Sequence, residues 1–167
     1  FFLGYDWEAR LGENIVFDPQ TLRPYYNTAA YQHWPLHQFT AREVEEGLVT
    51  FGNVYAKDIP PVGSVWVDKG VHPGNEYCSA IVLSDSRDIE VENVRIYHSG
   101  AMALIAQYCE NVTVRGYSTA RREGSSRMVT ASADATHFVD CTGNILIEDC
   151  SFESMLDDAV NIHGTYM

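Results

Sequence analysis

The sequence predicts an all-β protein whose larger part is a right-handed parallel β-helix, a solenoid of short strands, preceded by a small β-rich module. Three observations carry this reading. A motif recurs in register after about residue 70, apolar and polar residues alternate strictly inside each copy, and little helical periodicity precedes it. The expected boundary falls between residues 69 and 70. Residues 1–69 read as a barrel-like module with a flanking β-helix segment, and residues 70–167 as β-helix coils cut short at the C-terminal side.

The first part is rich in aromatics, prolines and glycines, and carries the short β-prone runs Ile15-Val16-Phe17, Leu48-Val49-Thr50-Phe51 and Val65-Trp66-Val67. Thr40-Ala41-Arg42-Glu43 fits a capping box, so one short helix is expected over Thr40 to Glu46. Asp58 to Gly63, with its two prolines and a glycine, reads as a turn between strands. The tryptophans and tyrosines are expected mainly in the core, with a sugar-stacking platform as the alternative.

In the second part, Asp88 to Ile96 aligns with Asn111 to Thr119 at an interval of 23 residues, and that segment aligns with Asn144 to Phe152 at an interval of 33. Each copy opens with Asp or Asn and alternates apolar with polar, the pattern of a strand with one buried face. An interval in the low twenties is one turn of a solenoid that covers its apolar face only by stacking on its neighbours. A second strand per coil follows: Ala80 to Ser84, Ala103 to Gln107, Thr136 to Asp140 and Ala159 to His163. The longer interval contains Arg121 to Arg127, read as a loop of about ten residues, and such insertions gather on the binding face. A leucine-rich repeat would need recurring leucines that these coils lack.

Composition narrows the partners. With 46% hydrophobic and 20% charged residues the chain is ordinary for a globular domain, and no apolar run reaches the length of a membrane-spanning helix. The net charge of −12 disfavours nucleic acid and anionic membranes, leaving a neutral or cationic ligand. Cys78, Cys109, Cys141 and Cys150 show no metal-ligand spacing and read as small buried hydrophobes, with no metal and no cofactor expected. The chain begins at Phe1 and stops just after a patterned segment, so it is expected to be an excerpt of a longer polypeptide.

The chemistry is expected at Asp134, Asp157 and Asp158. Asp134 and Asp157 lie one coil interval apart, which puts them at equivalent positions on successive coils, about 4.8 Å apart along the stack. Like charges at that range hold one proton at neutral pH, giving an acid beside an ionised base, the pair that glycoside hydrolysis uses. A single Asp in such a turn would more simply cap it or bind calcium; three together shift the balance. If Val160 and Ile162 face the core, then Asp157, Asn161 and His163 point outward, as do Asp134 and Asp140, while His137 points inward as a structural histidine. Gln107, placed one coil before Asp140, joins Asn161 and His163 as substrate-contact candidates, weighed against a stabilising side-chain ladder. His98 and Cys78 read as structural.

Ala133-Asp134-Ala135-Thr136-His137-Phe138, followed by Leu156-Asp157-Asp158-Ala159-Val160-Asn161-Ile162-His163-Gly164-Thr165-Tyr166-Met167, resembles glycoside hydrolase family 110, bacterial exo-α-1,3-galactosidases that include enzymes removing the blood-group B galactose. The similarity extends to Ile96 to Gly100 and Ile105 to Gln107, and more loosely to Asn14 to Pro19 and Arg23 to Thr28. The resemblance implies a parallel β-helix with an inserted β-barrel, metal-independent inverting hydrolysis, and catalytic acids at Asp134, Asp157 and Asp158. It also implies a galactose-terminated glycan as substrate and a secreted or periplasmic location; a homodimer is compatible with it. Inverting enzymes hold their carboxyl groups about 6.5–9.5 Å apart, so a diagonal pair such as Asp134 with Asp158, or an acid beyond Met167, is the alternative to direct stacking. With such an acid missing, these residues alone would be inactive.

Two other readings compete. A polygalacturonase or lyase would also cluster aspartates on a strand face, but its anionic substrate calls for a basic groove that this acidic chain lacks outside Arg121 to Arg127. A non-catalytic carbohydrate-binding solenoid would leave the acids incidental or calcium-bound.

Overall fold

The computed structural model describes residues 2–3, 8–9, 13–25, 40–53, 59–70 and 78–165. Every regular element among them is a β-strand. No helix there is long and apolar enough to cross a membrane. The chain divides into two compact units, residues 1–75 and 76–167.

The first unit holds two sheets. In one, β1 (Phe2–Leu3) pairs antiparallel with β2 (Glu8–Ala9) and parallel with β5 (Thr40–Glu45), which forms a hairpin with β6 (Leu48–Gly52). In the other, β3 (Glu13–Asp18) lies antiparallel between β4 (Arg23–Pro24) and β7 (Val65–Gly70). The expected β-prone runs fall in β3, β6 and β7. The expected helix at Thr40 to Glu46 does not form: its residues build β5, where Ala41 is 2% exposed opposite Phe51. The capping-box Glu is used otherwise, since the Glu43 carboxylate accepts the Gly47 amide at 2.8 Å and closes the hairpin turn. The tertiary pairing with β6 outweighs a local helix signal that is weak over seven residues. Pro61 and Ser64 close the expected turn around Gly63, while Asp58 lies outside the described residues. Trp66 packs edge-on against Phe51 at 4.9 Å and donates its indole N–H to the Asn14 side chain, a packing role. Trp7 and Trp34 lie outside the described residues.

The second unit is built from three parallel sheets that the chain visits in rotation. The first sheet stacks β8 (Ile81–Ser84), β11 (Leu104–Gln107), β14 (Thr136–Val139) and β17 (Val160–His163). The second stacks β9 (Arg87–Glu92), β12 (Glu110–Arg115) and β15 (Thr142–Glu148). The third stacks β10 (Arg95–Ile96), β13 (Ser118–Thr119) and β16 (Ser151–Phe152). All pairings are parallel.

The alternation explains the core. Leu104 and Ala106, Val112 and Val114, Thr136 and Phe138 all turn inward, and equivalent residues stack into columns such as Ile89, Val112 and Ile145. Phe138 is fully buried on β14, which has a neighbouring strand on each side, whereas its partner Ile162 on β17 is 57% exposed, because β17 has a neighbour on one side only within the described sheet. On the outer face Arg115 lies between two acids one coil away on either side, donating to Glu92 at 2.7 Å and Glu148 at 2.9 Å, so the column alternates in charge. All four cysteines are free; Cys109 is buried in the core, Cys141 and Cys150 are partly buried against it, and Cys78 is exposed.

The coil corners require left-handed backbone. Asp88 and Asn111, followed by Gly143 on the next coil, take positive φ, as do Asn93, Gly116 and Asp149. Asn and Asp tolerate that region best after Gly, which is why the first two repeats open with Asp88 and Asn111, while in the third Gly143 takes the left-handed position just before Asn144. At Gly143 the pairing changes. Glu110 faces Thr142 at an offset of 32, but Val112 faces Ile145 at 33, so β15 carries one extra residue relative to β12, a bulge. A Cβ on Gly143 would clash with the Asn111 side chain, whose amide donates to Asp88 at 2.9 Å and whose carbonyl accepts the Asn144 amide at 3.1 Å.

The bulge corrects the register read from the sequence. Leu104, not Ala103, lies opposite Thr136, and Thr136 faces Val160, an interval of 24. The insertion also has its place. Ala131 lies twelve positions after Thr119, but the equivalent Met155 lies only three after Phe152, so the extra length lies between β13 and β14.

Candidate active site

The three aspartates converge at the corner that leads from the third sheet into the first. A carboxylate oxygen of each of Asp134, Asp157 and Asp158 lies within 4.8 Å of the other two. Register decides who faces whom. Because Thr136 pairs with Val160, Asp134 is the coil equivalent of Asp158, and Asp157 is its diagonal neighbour; the expectation of direct stacking for Asp134 and Asp157 is off by the bulge residue.

Asp134 is 4% exposed, buried rather than pointing outward. Its Oδ1 accepts the Asp158 amide at 3.1 Å, an amide that also lies 3.1 Å from Asp157 Oδ1. Its Oδ2 is hydrogen-bonded to His137 Nδ1. Asp157 and Asp158 are exposed. The same three oxygens are close enough to bracket a cation, although exposed acids often cluster without one.

His137 is the residue that sequence parity misplaced. Asp134 sits in a turn, so the count from Asp134 does not carry into the strand. On β14 Thr136 and Phe138 turn inward, and His137 shares its face with Asn161, its register partner. Its Nε2 lies 2.9 Å from His163 Nε2, with the rings edge to face at 4.9 Å. The signal was the spacing Asp134-x-x-His137, with His163 one coil on.

The other candidates fall along the same sheet. Gln107, Val139 and His163 form one row, so Gln107 precedes Val139 and not Asp140. Asn161 is partly buried beside the site, and no hydrogen bond joins Gln107 to the acids. At the far end of the strand Asp140 accepts the Thr165 amide at 2.6 Å and the Thr165 hydroxyl. Those bonds, with His163 nearby, hold its carboxyl below the usual aspartate range. His98, read as structural, has its pKa pushed down by burial and by Arg127 from the inserted loop.

Fold and site together describe an all-β chain with stacked parallel strands on which a cluster of three carboxylates lies beside two imidazoles. Residues 1–66 match the family model of GLAA-B beta-barrel domain I. An alpha-1,3-galactosidase B of Phocaeicola vulgatus is 31% identical over 98% of this chain and 27% of its own length. An alpha-1,3-galactosidase B of Bacteroides thetaiotaomicron is 29% identical over 98% of the chain and 26% of its own. An alpha-1,3-galactosidase A of Shewanella woodyi is 38% identical over 52% of the chain and 14% of its own. Along nearly its whole length the chain is similar to proteins named α-1,3-galactosidases, and it spans about a quarter of the length of those it matches throughout.

Proposed function

We propose that the protein carrying this chain hydrolyses terminal α-1,3-linked galactose, with Asp134, Asp157 and Asp158 as its acid and base groups. The observation that carries this is the convergence of the three carboxylates within 4.8 Å at one corner of stacked strands. Asp134 is buried, with Oδ1 accepting the Asp158 amide and Oδ2 hydrogen-bonded to His137 Nδ1, and is taken as the base; the exposed Asp157 or Asp158 is taken as the proton donor to the leaving oxygen. Gln107, Asn161 and His163 are proposed as sugar contacts. The three ladders are proposed to be coils of a right-handed parallel β-helix over residues 70–167, with residues 1–69 as the barrel-like module. A galactose-terminated glycan outside the cell implies secretion or a periplasmic location, and a homodimer is part of the proposal.

The relatives' name favours galactoside hydrolysis; the inverting outcome rests on the family resemblance. One observation favours a second reading. Oxygens within 4.8 Å are nearer the roughly 5–5.5 Å of retaining enzymes than the roughly 6.5–9.5 Å that leaves room for a water. The anomer decides. Release of galactose from an α-1,3-linked disaccharide by the full-length protein is followed by NMR, with Asp157→Asn as control. β-Galactose appearing first, and lost in the variant, supports inversion; α-galactose first establishes the retaining reading; no release from any α-galactoside refutes the function.

A further inference from the structure

The buried Asp134 raises a question that the proposed chemistry does not answer. In an inverting hydrolysis the base takes a proton from water and the acid gives one to the leaving group, so each turnover ends with both groups in the wrong protonation state. Asp157 and Asp158 are exposed and reset through solvent. Asp134 is 4% exposed, and one of its oxygens is closed off by the Asp158 amide. Its other oxygen meets His137 Nδ1, and His137 in turn meets His163 Nε2 to Nε2 at 2.9 Å. His163 is exposed.

A contact between two ring nitrogens at that distance needs a proton in it: one Nε2 donates and the other accepts. Imidazole is the side chain that takes up and releases protons near neutral pH, and its two nitrogens let a proton enter on one side while another leaves on the opposite side. A histidine kept only for packing would leave its second nitrogen to a backbone group or to water. Here it is aimed at another imidazole, and that ring reaches solvent.

We propose that His137 and His163 form a proton relay between the Asp134 carboxyl and solvent, which resets the buried acid after each turnover. The proposal rests on the reading of Asp134 as a base of an inverting hydrolysis. The step balances. The Asp134 carboxyl proton passes to His137 Nδ1, the His137 Nε2 proton passes to His163 Nε2, and His163 gives one proton to water. One proton enters at Asp134, one leaves at His163, and Asp134 is again a carboxylate; His137 is left with its proton on Nδ1 and His163 with its own on Nε2, and exchange of one proton with solvent at each ring returns His137 to Nε2–H and His163 to Nδ1–H for the next turnover. The charged neighbours are Asp140, whose pKa responds to His163, and Asp157 and Asp158 beside Asp134. All are acids that stabilise a passing imidazolium.

The test is steady-state hydrolysis of an α-1,3-galactoside by the full-length protein and by His163→Gln. Glutamine keeps a hydrogen-bonding group near His137 but carries no proton onward, so a purely structural role survives it. The expected result is a fall in kcat of about tenfold to a hundredfold, at or below the range of a directly acting acid–base group. Any rise in KM reports the sugar contact proposed for His163, whereas the relay is read from kcat at saturating substrate, which added imidazole restores in a concentration-dependent way. A rise in KM with kcat intact would leave His163 a sugar contact alone and overturn the relay, as would a loss of kcat that imidazole cannot restore, or no loss at all. His163→Ala, checked for native circular dichroism, opens more room for imidazole and should be rescued further. Asp134→Asn separates the two readings. If it remains active, the catalytic assignment itself fails; if it is dead while His163→Gln turns over normally, the relay alone fails.

Discussion

Gly143→Ala perturbs the bulge that sets which aspartates face each other, and its cost can be assembled from two parts. Gly143 has φ +70°, and a side chain in that region costs about 1–2 kcal/mol. The new Cβ also collides with the Asn111 carboxamide, which must turn away and release the Asn144 amide, a loss of about 1 kcal/mol. The expected total is therefore about 2–3 kcal/mol. Asn111→Ala removes the second part in advance, so Gly143→Ala made in that background should cost only the backbone component of about 1–2 kcal/mol. The coupling between the sites is then about 1 kcal/mol, within reach of a double-mutant cycle. Urea unfolding of the four proteins, with m-values compared to confirm equivalent transitions, measures it. An effect of Gly143→Ala below about 0.5 kcal/mol, the level of an uninvolved surface change, would refute the strain argument. Equal costs in both backgrounds would refute the steric coupling to Asn111.

Two further predictions concern pH. The Thr165 hydroxyl and amide, with His163 behind them, hold the Asp140 carboxyl below its ordinary value, so this group contributes stability above about pH 4, where the unfolded chain's Asp is already ionised. Thr165→Val removes the hydroxyl bond; wild type should exceed the variant in stability at neutral pH, and the difference should shrink as pH falls through Asp140's lowered pKa. A difference independent of pH would show that Thr165 acts through packing. Tyr117 is pushed up to about 12 by burial, with a partly opposing hydrogen bond from the Thr119 hydroxyl. Below about pH 10 both states keep the phenolic proton, and above it only the unfolded chain loses one, so stability should fall with rising pH. Tyr117→Phe lacks this component, and its unfolding midpoint should decline less steeply in that range; parallel declines would show that the hydroxyl reaches solvent.

Much of the second unit was legible in the chain. Asp88, Asn111 and Asn144 open equivalent segments, and inside each the alternation of residues such as Val112, Thr113 and Val114 assigns a buried and an exposed face. The inserted loop and the approximate meeting of three aspartates followed from the same interval. Where a local signal competed with a distant partner, the reading was lost: Thr40 to Glu43 has the letters of a helix cap, yet β6 claims it as a strand.

The sequence by itself determined the strands of the second unit, the buried and exposed faces within them and the neighbourhood of Asp134, Asp157 and Asp158, because side-chain alternation and repeat length can be read along the chain. Only the tertiary structure decided the register among them. One bulged residue at Gly143 pairs Asp134 with Asp158, and a turn at Asp134 breaks the parity that would have sent His137 into the core. Both follow from where the backbone leaves its regular repeat: a strand's alternation predicts the next residue's face only while the pleat continues, and where it stops is set by contacts with the coil above and below.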